Sequence, residues 1–308
     1  MLRDGLLSHG RAHRGVLAWG LAYTCLLVGA RLALPLPLTA VVDRSTATAT
    51  PGPAVPVVLL SAAFVGLALV AGMAEHHQRL AFAHFAGRSV GDAREAALAR
   101  VQCSADNSTD PTTAVIGDSA RVKQGLKGVL NHITVNGLLV AGVCAALAVT
   151  DLRLGLVQLA GAVLLVLISV AGAKQITAVA AAHRGRETDL ASSVHALVAE
   201  RTTADDTATV AALHHLDAQG SEAEITMTRL EGLTTCAAHV VLVATAATVL
   251  VLGLDSVNDE AMSVGTLFAA LAYLLGLHGP AVRLARQITR VGPLMASARH
   301  LGRVLAAS

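Results

Sequence analysis

The chain has 308 residues, 54% of them hydrophobic and 14% charged, with a mean hydropathy of +0.61. That balance excludes an ordinary soluble domain and points to a polytopic membrane protein. A formal net charge of +2 gives no global electrostatic reason for a nucleic-acid partner. With 2% aromatic residues, the apolar mass is Ala, Val and Leu, as suits helical spans and an all-α fold. Cys25, Cys103, Cys144 and Cys236 show no metal or redox spacing and read as small buried hydrophobes.

Residues 1–14 carry Arg3, Arg11 and Arg14 and read as a basic cytoplasmic arm; residues 15–308 read as one membrane domain. The first apolar segment is longer than the core of a cleavable signal peptide and is followed by further spans. Span one covers about 15–42, with Pro35 and Pro37 near its far end, where a kink is tolerated if neighbouring helices satisfy the freed carbonyls. A Thr-, Pro- and Gly-rich outer loop follows. Span two covers about 57–74, and its helix continues past Glu75 into the cytoplasm until Asp106–Pro111 breaks it. No proline occurs from Thr112 to Gly279, which permits very long helices.

Span three covers about 129–149, and the tiny link Thr150-Asp151-Leu152-Arg153 makes an outer hairpin with span four, about 154–172. The polar stretch Ala173–Gly232 then leaves the membrane and returns. Leu190, Val194 and Leu197 fall at helical spacing, and Val210, Leu213, Ile225 and Leu230 continue apolar faces. A helical hairpin of this length reaches roughly 40 Å from the bilayer. Span five covers about 233–254, Asp255–Ser263 reads as an acidic outer loop, and span six covers about 264–282 before a basic helical tail. On this plan 20 of the 23 Lys and Arg residues are cytoplasmic, so both termini are placed inside.

Several stretches, in order, resemble one family. Leu32-Ala33-Leu34-Pro35 with Asp43 resembles the end of its first span. Asn107-Ser108-Thr109-Asp110, Gly117-Asp118 and Val122 resemble the segment after its first intracellular turn. Asp151-Leu152-Arg153-Leu154 resembles its link between spans three and four. Ser263-Val264-Gly265-Thr266-Leu267, Ala269, Tyr273, Gly279-Pro280 and Ala296-Ser297-Ala298-Arg299 resemble its sixth span and the stretch beyond that span. Together they resemble the transmembrane domain, or permease subunit, of ABC exporters of the type IV (type 1 exporter) class. Two departures stand out: Asp110 replaces the usual glycine, and Arg201–Asp206 replaces an apolar-basic run.

The 308 residues contain no G-x-x-x-x-G-K-[ST] phosphate loop. The resemblance therefore implies a permease whose ATPase is a separate subunit holding ATP and Mg, while this chain holds no cofactor and is no enzyme. It also implies a dimer with an identical or related six-helix half, in the plasma (inner) membrane. The family couples motor to membrane at its hairpin tips, here Cys103, Ser104, Asp106, Asn107 and Asp110 in one and Thr202, Thr203, Asp205 and Asp206 in the other. Without a partner, the same residues read as solvated turns.

Inside the spans, Arg31 is a functional candidate by default, as a pathway residue or one that snorkels to an interface. Gln158 and His239 read as interhelical hydrogen-bonding residues or pathway residues. His76-His77 and His214-His215 point to different helix faces and suit no metal. Two other readings are an ATP-independent secondary transporter, which would place carboxylates in the spans, and a degenerate, non-transporting half. A pathway lined by Ala, Val and Leu admits lipids, peptides or drugs alike.

Overall fold

The structure, a computed structural model, describes residues 12–47, 55–103, 109–199 and 207–306. Among these residues every regular element is helical. Helix α1 (Arg14–Ala33) gives way at Leu34 to α2 (Pro35–Ala47). Proline at the first position of α2 lacks an N–H that would be unpaired there anyway. Pro35 and Pro37 cannot donate to the carbonyls of Arg31 and Ala33, and between those two the Leu32 carbonyl accepts the Tyr273 hydroxyl at 2.6 Å. Span one is thus two helices in succession, stapled at the break by a residue far along the chain.

Helix α3 (Val55–Cys103) is unbroken for 49 residues. Helix α4 (Thr109–Gly128) resumes earlier than the sequence suggests. Pro111 lies in its first turn, where a missing N–H is harmless, so it belongs to the new helix rather than to the break. A π-helical segment, Val129–Thr134, joins α4 to α5 (Val135–Thr150). Asp151 alone separates α5 from α6 (Leu152–Ala199). Helix α7 (Thr207–Asn258) takes up the first four residues of the expected 255–263 loop, leaving a short turn in which Glu260 has φ 56°. Helix α8 (Val264–Ala306) completes the described chain.

Six helices are long and apolar enough to cross a membrane. At about 1.5 Å per residue, α6 and α7 each exceed 70 Å, more than twice the roughly 30 Å hydrocarbon core. The surplus projects from one end of the bundle, as it does for α3 and α8. This gives a hairpin end and a short-loop end. Helices α6 and α7 pack in antiparallel register: Gly161 faces Thr245 and Gly172 faces Thr234, a repeat of about three turns in opposite directions. Both threonines turn their hydroxyls back to their own helix, to Val241 and Leu230, and the glycines admit them closely, as small residues do between membrane helices.

The core sits around α8. Ala270, Leu274, Leu277, Ala281 and Ala285 recur at helical spacing and pack against Val28, Leu139, Val143, Leu165 and Val249 from four other helices. The opposite extreme is α3, whose apolar window is only 11% buried; Val58, Leu69 and Met73 face outward. Lipid is as apolar as leucine, so such faces carry no penalty. Cys25 and Cys236 are also exposed on this outer surface, not buried as their chemistry suggests; in a bilayer, outside is as suitable as inside for a small hydrophobe.

Carboxylates close the short-loop end. Asp43 on α2 accepts the Ser263 hydroxyl at 2.9 Å and the Gly265 amide at 2.8 Å, while Ser263 caps the Thr266 amide. Gly265 permits this contact, since a Cβ there would lie 2.6 Å from the Thr39 carbonyl oxygen. Asp151 caps α6 through the Arg153 amide and accepts the Ser256 hydroxyl of α7 at 2.9 Å. Asp43→Ala removes both acceptor contacts of the first clasp. We expect a loss of about 2 kcal/mol, seen as a thermal unfolding midpoint a few degrees lower in detergent; the lipid-facing Met73→Leu serves as a control that leaves it unchanged.

Candidate functional site

Four helices bring polar residues to one depth. Arg31 lies 16 residues from the short-loop end of α2, Glu75 lies 20 from Val55, His132 lies 18 from Thr150 and Arg283 lies 19 from Val264. Those separations correspond to about 24–30 Å, near the hairpin-side boundary of the hydrocarbon core. Arg31 donates to Glu75 at 2.7 Å across the α1–α3 interface. Arg79, one turn along α3, donates to the other Glu75 oxygen. Gln78, almost fully buried, shares that side of α3 and donates to Asn131 at 3.0 Å.

These groups border a cavity of about 560 Å³. Helix α3 contributes Glu75, His76, Gln78 and Arg79; α4 and the π-helical segment contribute Lys127, Asn131 and His132; α8 contributes Arg283. A π turn is wider than an α turn and is often found where a helix shapes a site; here it brings Asn131 and His132 to the cavity wall. Three arginines and a lysine surround a single carboxylate among the described lining residues. Asn136, 3% exposed, also lines the cavity, and its Nδ2 has no hydrogen-bond partner among the described residues.

A second cavity, about 410 Å³, adjoins the first toward the short-loop end. Arg31 and Arg283 belong to both. Otherwise its walls are apolar apart from Tyr273, with Leu38, Phe64, Leu139 and Val143 contributed by three helices. Pro280 forms part of the wall; lacking an N–H, it also frees the Gly276 carbonyl one turn earlier in α8.

Of the three residues singled out inside the spans, Arg31 borders both cavities. His239 pairs with His278 of α8, ring nitrogens 2.8 Å apart, and so ties α7 to α8. Gln158 is 2% exposed, and its Oε1 has no partner among the described residues. Ser104, Asp106, Asn107, Thr202, Thr203, Asp205 and Asp206 lie outside the described residues. Cys103 and Asp110 are described only in backbone, at the last residue of α3 and the second of α4.

Linear reading missed Glu75, Arg79, Lys127, Asn131, His132, Asn136 and Arg283 as site residues. Glu75 reads as the first residue beyond span two, yet it is Arg31's counter-ion. Counting depth from the short-loop ends would have paired them. The π-helical segment has no comparable sequence signal.

The arrangement is that of a polytopic α-helical membrane protein with a polar cavity between its spans. No protein-family model matches the sequence, and no curated protein matches it. The fold does have a solved counterpart. The structure of a bacterial Atm1-family ABC exporter with ATP bound aligns with a TM-score of 0.77 at 15% sequence identity, over 96% of this chain and 54% of that one. The chain therefore has the transmembrane fold of an ABC exporter and spans about half the length of the exporter chain it matches.

The Arg31–Glu75–Arg79 arrangement makes an asymmetric prediction. Arg31→Gln leaves Glu75 neutralised by Arg79, whereas Glu75→Gln deprives half-buried Arg31 of its counter-ion while Arg79 stays exposed. We expect Glu75→Gln to lower stability by about 2 kcal/mol and Arg31→Gln by less than half of that, read as thermal unfolding midpoints in detergent. Equal losses would contradict a shared counter-ion.

Proposed function

We propose that this chain is the membrane-spanning subunit of an ATP-driven exporter. The observation that carries the reading is the fold likeness over nearly the whole chain. In this reading the pathway is lined by the cavities around Arg31 and Arg283. The α3–α4 hairpin, through Cys103 to Asp110, and the α6–α7 hairpin, through Thr202 to Asp206, dock on a separate ATPase subunit that binds ATP and Mg. The chain itself binds no cofactor and catalyses no reaction. Two six-helix halves, identical or related, enclose the pathway in the plasma (inner) membrane, with both termini cytoplasmic. The Lys and Arg bias toward the hairpin end supports that orientation.

The proposed mechanism rests on the helices. Long continuous rods run from the hairpin end into the spans, so closing two ATPase subunits would move the spans as rigid levers. The basic cavity lies at the hairpin end, where cytoplasmic substrate would enter. At the other end, the Asp43–Ser263 and Asp151–Ser256 contacts hold the bundle closed; separating the first would part α2 from α8 and open an exit.

The test is biochemical. The chain is purified with candidate ATPase subunits, reconstituted in vesicles and assayed for vanadate-sensitive ATP turnover. We expect a stable complex and turnover, with a cysteine placed at Asp205 crosslinking to the ATPase. Failure of every candidate to associate would overturn the proposal.

A further inference from the structure

We infer that the two adjoining cavities form one binding site, and that its ligand is an amphipathic anion, with a phosphate or carboxylate head in the basic cavity and a hydrocarbon portion in the apolar chamber. This inference rests on the proposed export function and names its substrate class.

Charge favours an anion. Glu75 is already divided between Arg31 and Arg79. Lys127 and Arg283, on two other helices, face the same space, and no other carboxylate lines it among the described residues. Both are exposed and line the cavity, so an anionic head entering between them gains charge-assisted hydrogen bonds from two helices. The unpartnered Nδ2 of buried Asn136 favours the same ligand independently. It is a donor, so it suits an anionic oxygen and does not suit another cation. Donors and cations from separate helices converge as a phosphate or carboxylate requires.

The chamber favours a hydrocarbon joined to that head. It shares Arg31 and Arg283 with the basic cavity, so the charged groups form its floor and its remaining walls are apolar apart from Tyr273. Each cavity is within the range of about 300–1,000 Å³ typical of small-molecule sites. A small polar anion would fill one and leave the other holding water against apolar walls. A neutral hydrocarbon would do the reverse and leave the cations bare. A molecule with both parts satisfies both, head toward the hairpin end and tail toward the short-loop end.

The full chain, in nanodiscs of zwitterionic lipid, is equilibrated with a fluorescent-tailed dodecyl phosphate and challenged with dodecyl phosphate, butyl phosphate and dodecyltrimethylammonium. We expect dodecyl phosphate to displace the probe at concentrations at least about tenfold lower than either competitor. Lys127→Gln with Arg283→Gln should weaken dodecyl phosphate about tenfold or more. Gly276→Phe should weaken dodecyl phosphate by a similar factor while leaving butyl phosphate unchanged. A Cβ at Gly276 meets nothing within 4 Å, so the new ring can enter the chamber without a backbone clash. That variant alters no charge and keeps the test decisive if the double variant does not fold. Equal displacement by dodecyltrimethylammonium would reduce the site to lipid-like contact, equal displacement by butyl phosphate would reduce it to an anion site, and wild-type binding by Gly276→Phe would remove the chamber; each overturns the inference. No ATPase is present, so failure here leaves the export proposal intact. A chain that binds the probe but couples to no ATPase loses only the export proposal.

Discussion

A charged side chain at membrane depth has no bulk water to fall back on, and the ion pair between Arg31 and Glu75 meets that constraint across the α1–α3 interface. It is also a positional device. Leu27, Ala30, Ala71, Ala74 and Val135 pack into a small cluster around this interface, so apolar contact holds the two helices at the spacing the pair needs. With Arg79 sharing the carboxylate, the one acidic residue among the described cavity lining is neutralised and an excess of cationic groups remains. The basic character of the site follows from that imbalance.

The same rule governs the backbone. Pro280 removes a helical donor inside α8, whereas Pro35 stands at the start of α2, where none is required, and both border the apolar chamber. At the first, the Tyr273 hydroxyl reaches Leu32 from the central helix. Irregular backbone within a bilayer is tolerated where protein partners or a cavity receive the freed groups, and here both conditions are found at one place. Tyr273 is therefore at once a structural staple and a chamber wall.

The two ends of the bundle differ chemically. At the short-loop end, aspartates are consumed as caps and clasps, each accepting from a backbone amide at a helix start and from a serine of another element. A carboxylate there gains from the helix N-terminus as well as from the hydrogen bonds. At the hairpin end the lining is cationic and one Asn donor is unpartnered. One end is closed by contacts that satisfy its polar groups; the other keeps polar groups in reserve around a space.

Composition, the spacing of apolar runs and the distribution of Lys and Arg determined a six-span, all-helical membrane protein, because the bilayer forces backbone groups to pair within each helix and so makes the spans a local property of sequence. Ordered short motifs extended that to the transmembrane fold. Arg31 stood out in isolation because it interrupts an apolar run. Its partner did not, since Glu75 sits where span two already looks cytoplasmic, and equal depth is visible only when helices are laid side by side. The cavity required more still: a π-helical turn at Val129–Thr134, whose widening has no compositional mark, and the convergence of residues 31, 75, 131 and 283, which are remote in the chain. Tertiary structure alone decided which polar residues face one another, because a helix fixes the direction of a side chain relative to its own axis, while the packing of neighbouring helices fixes what it meets.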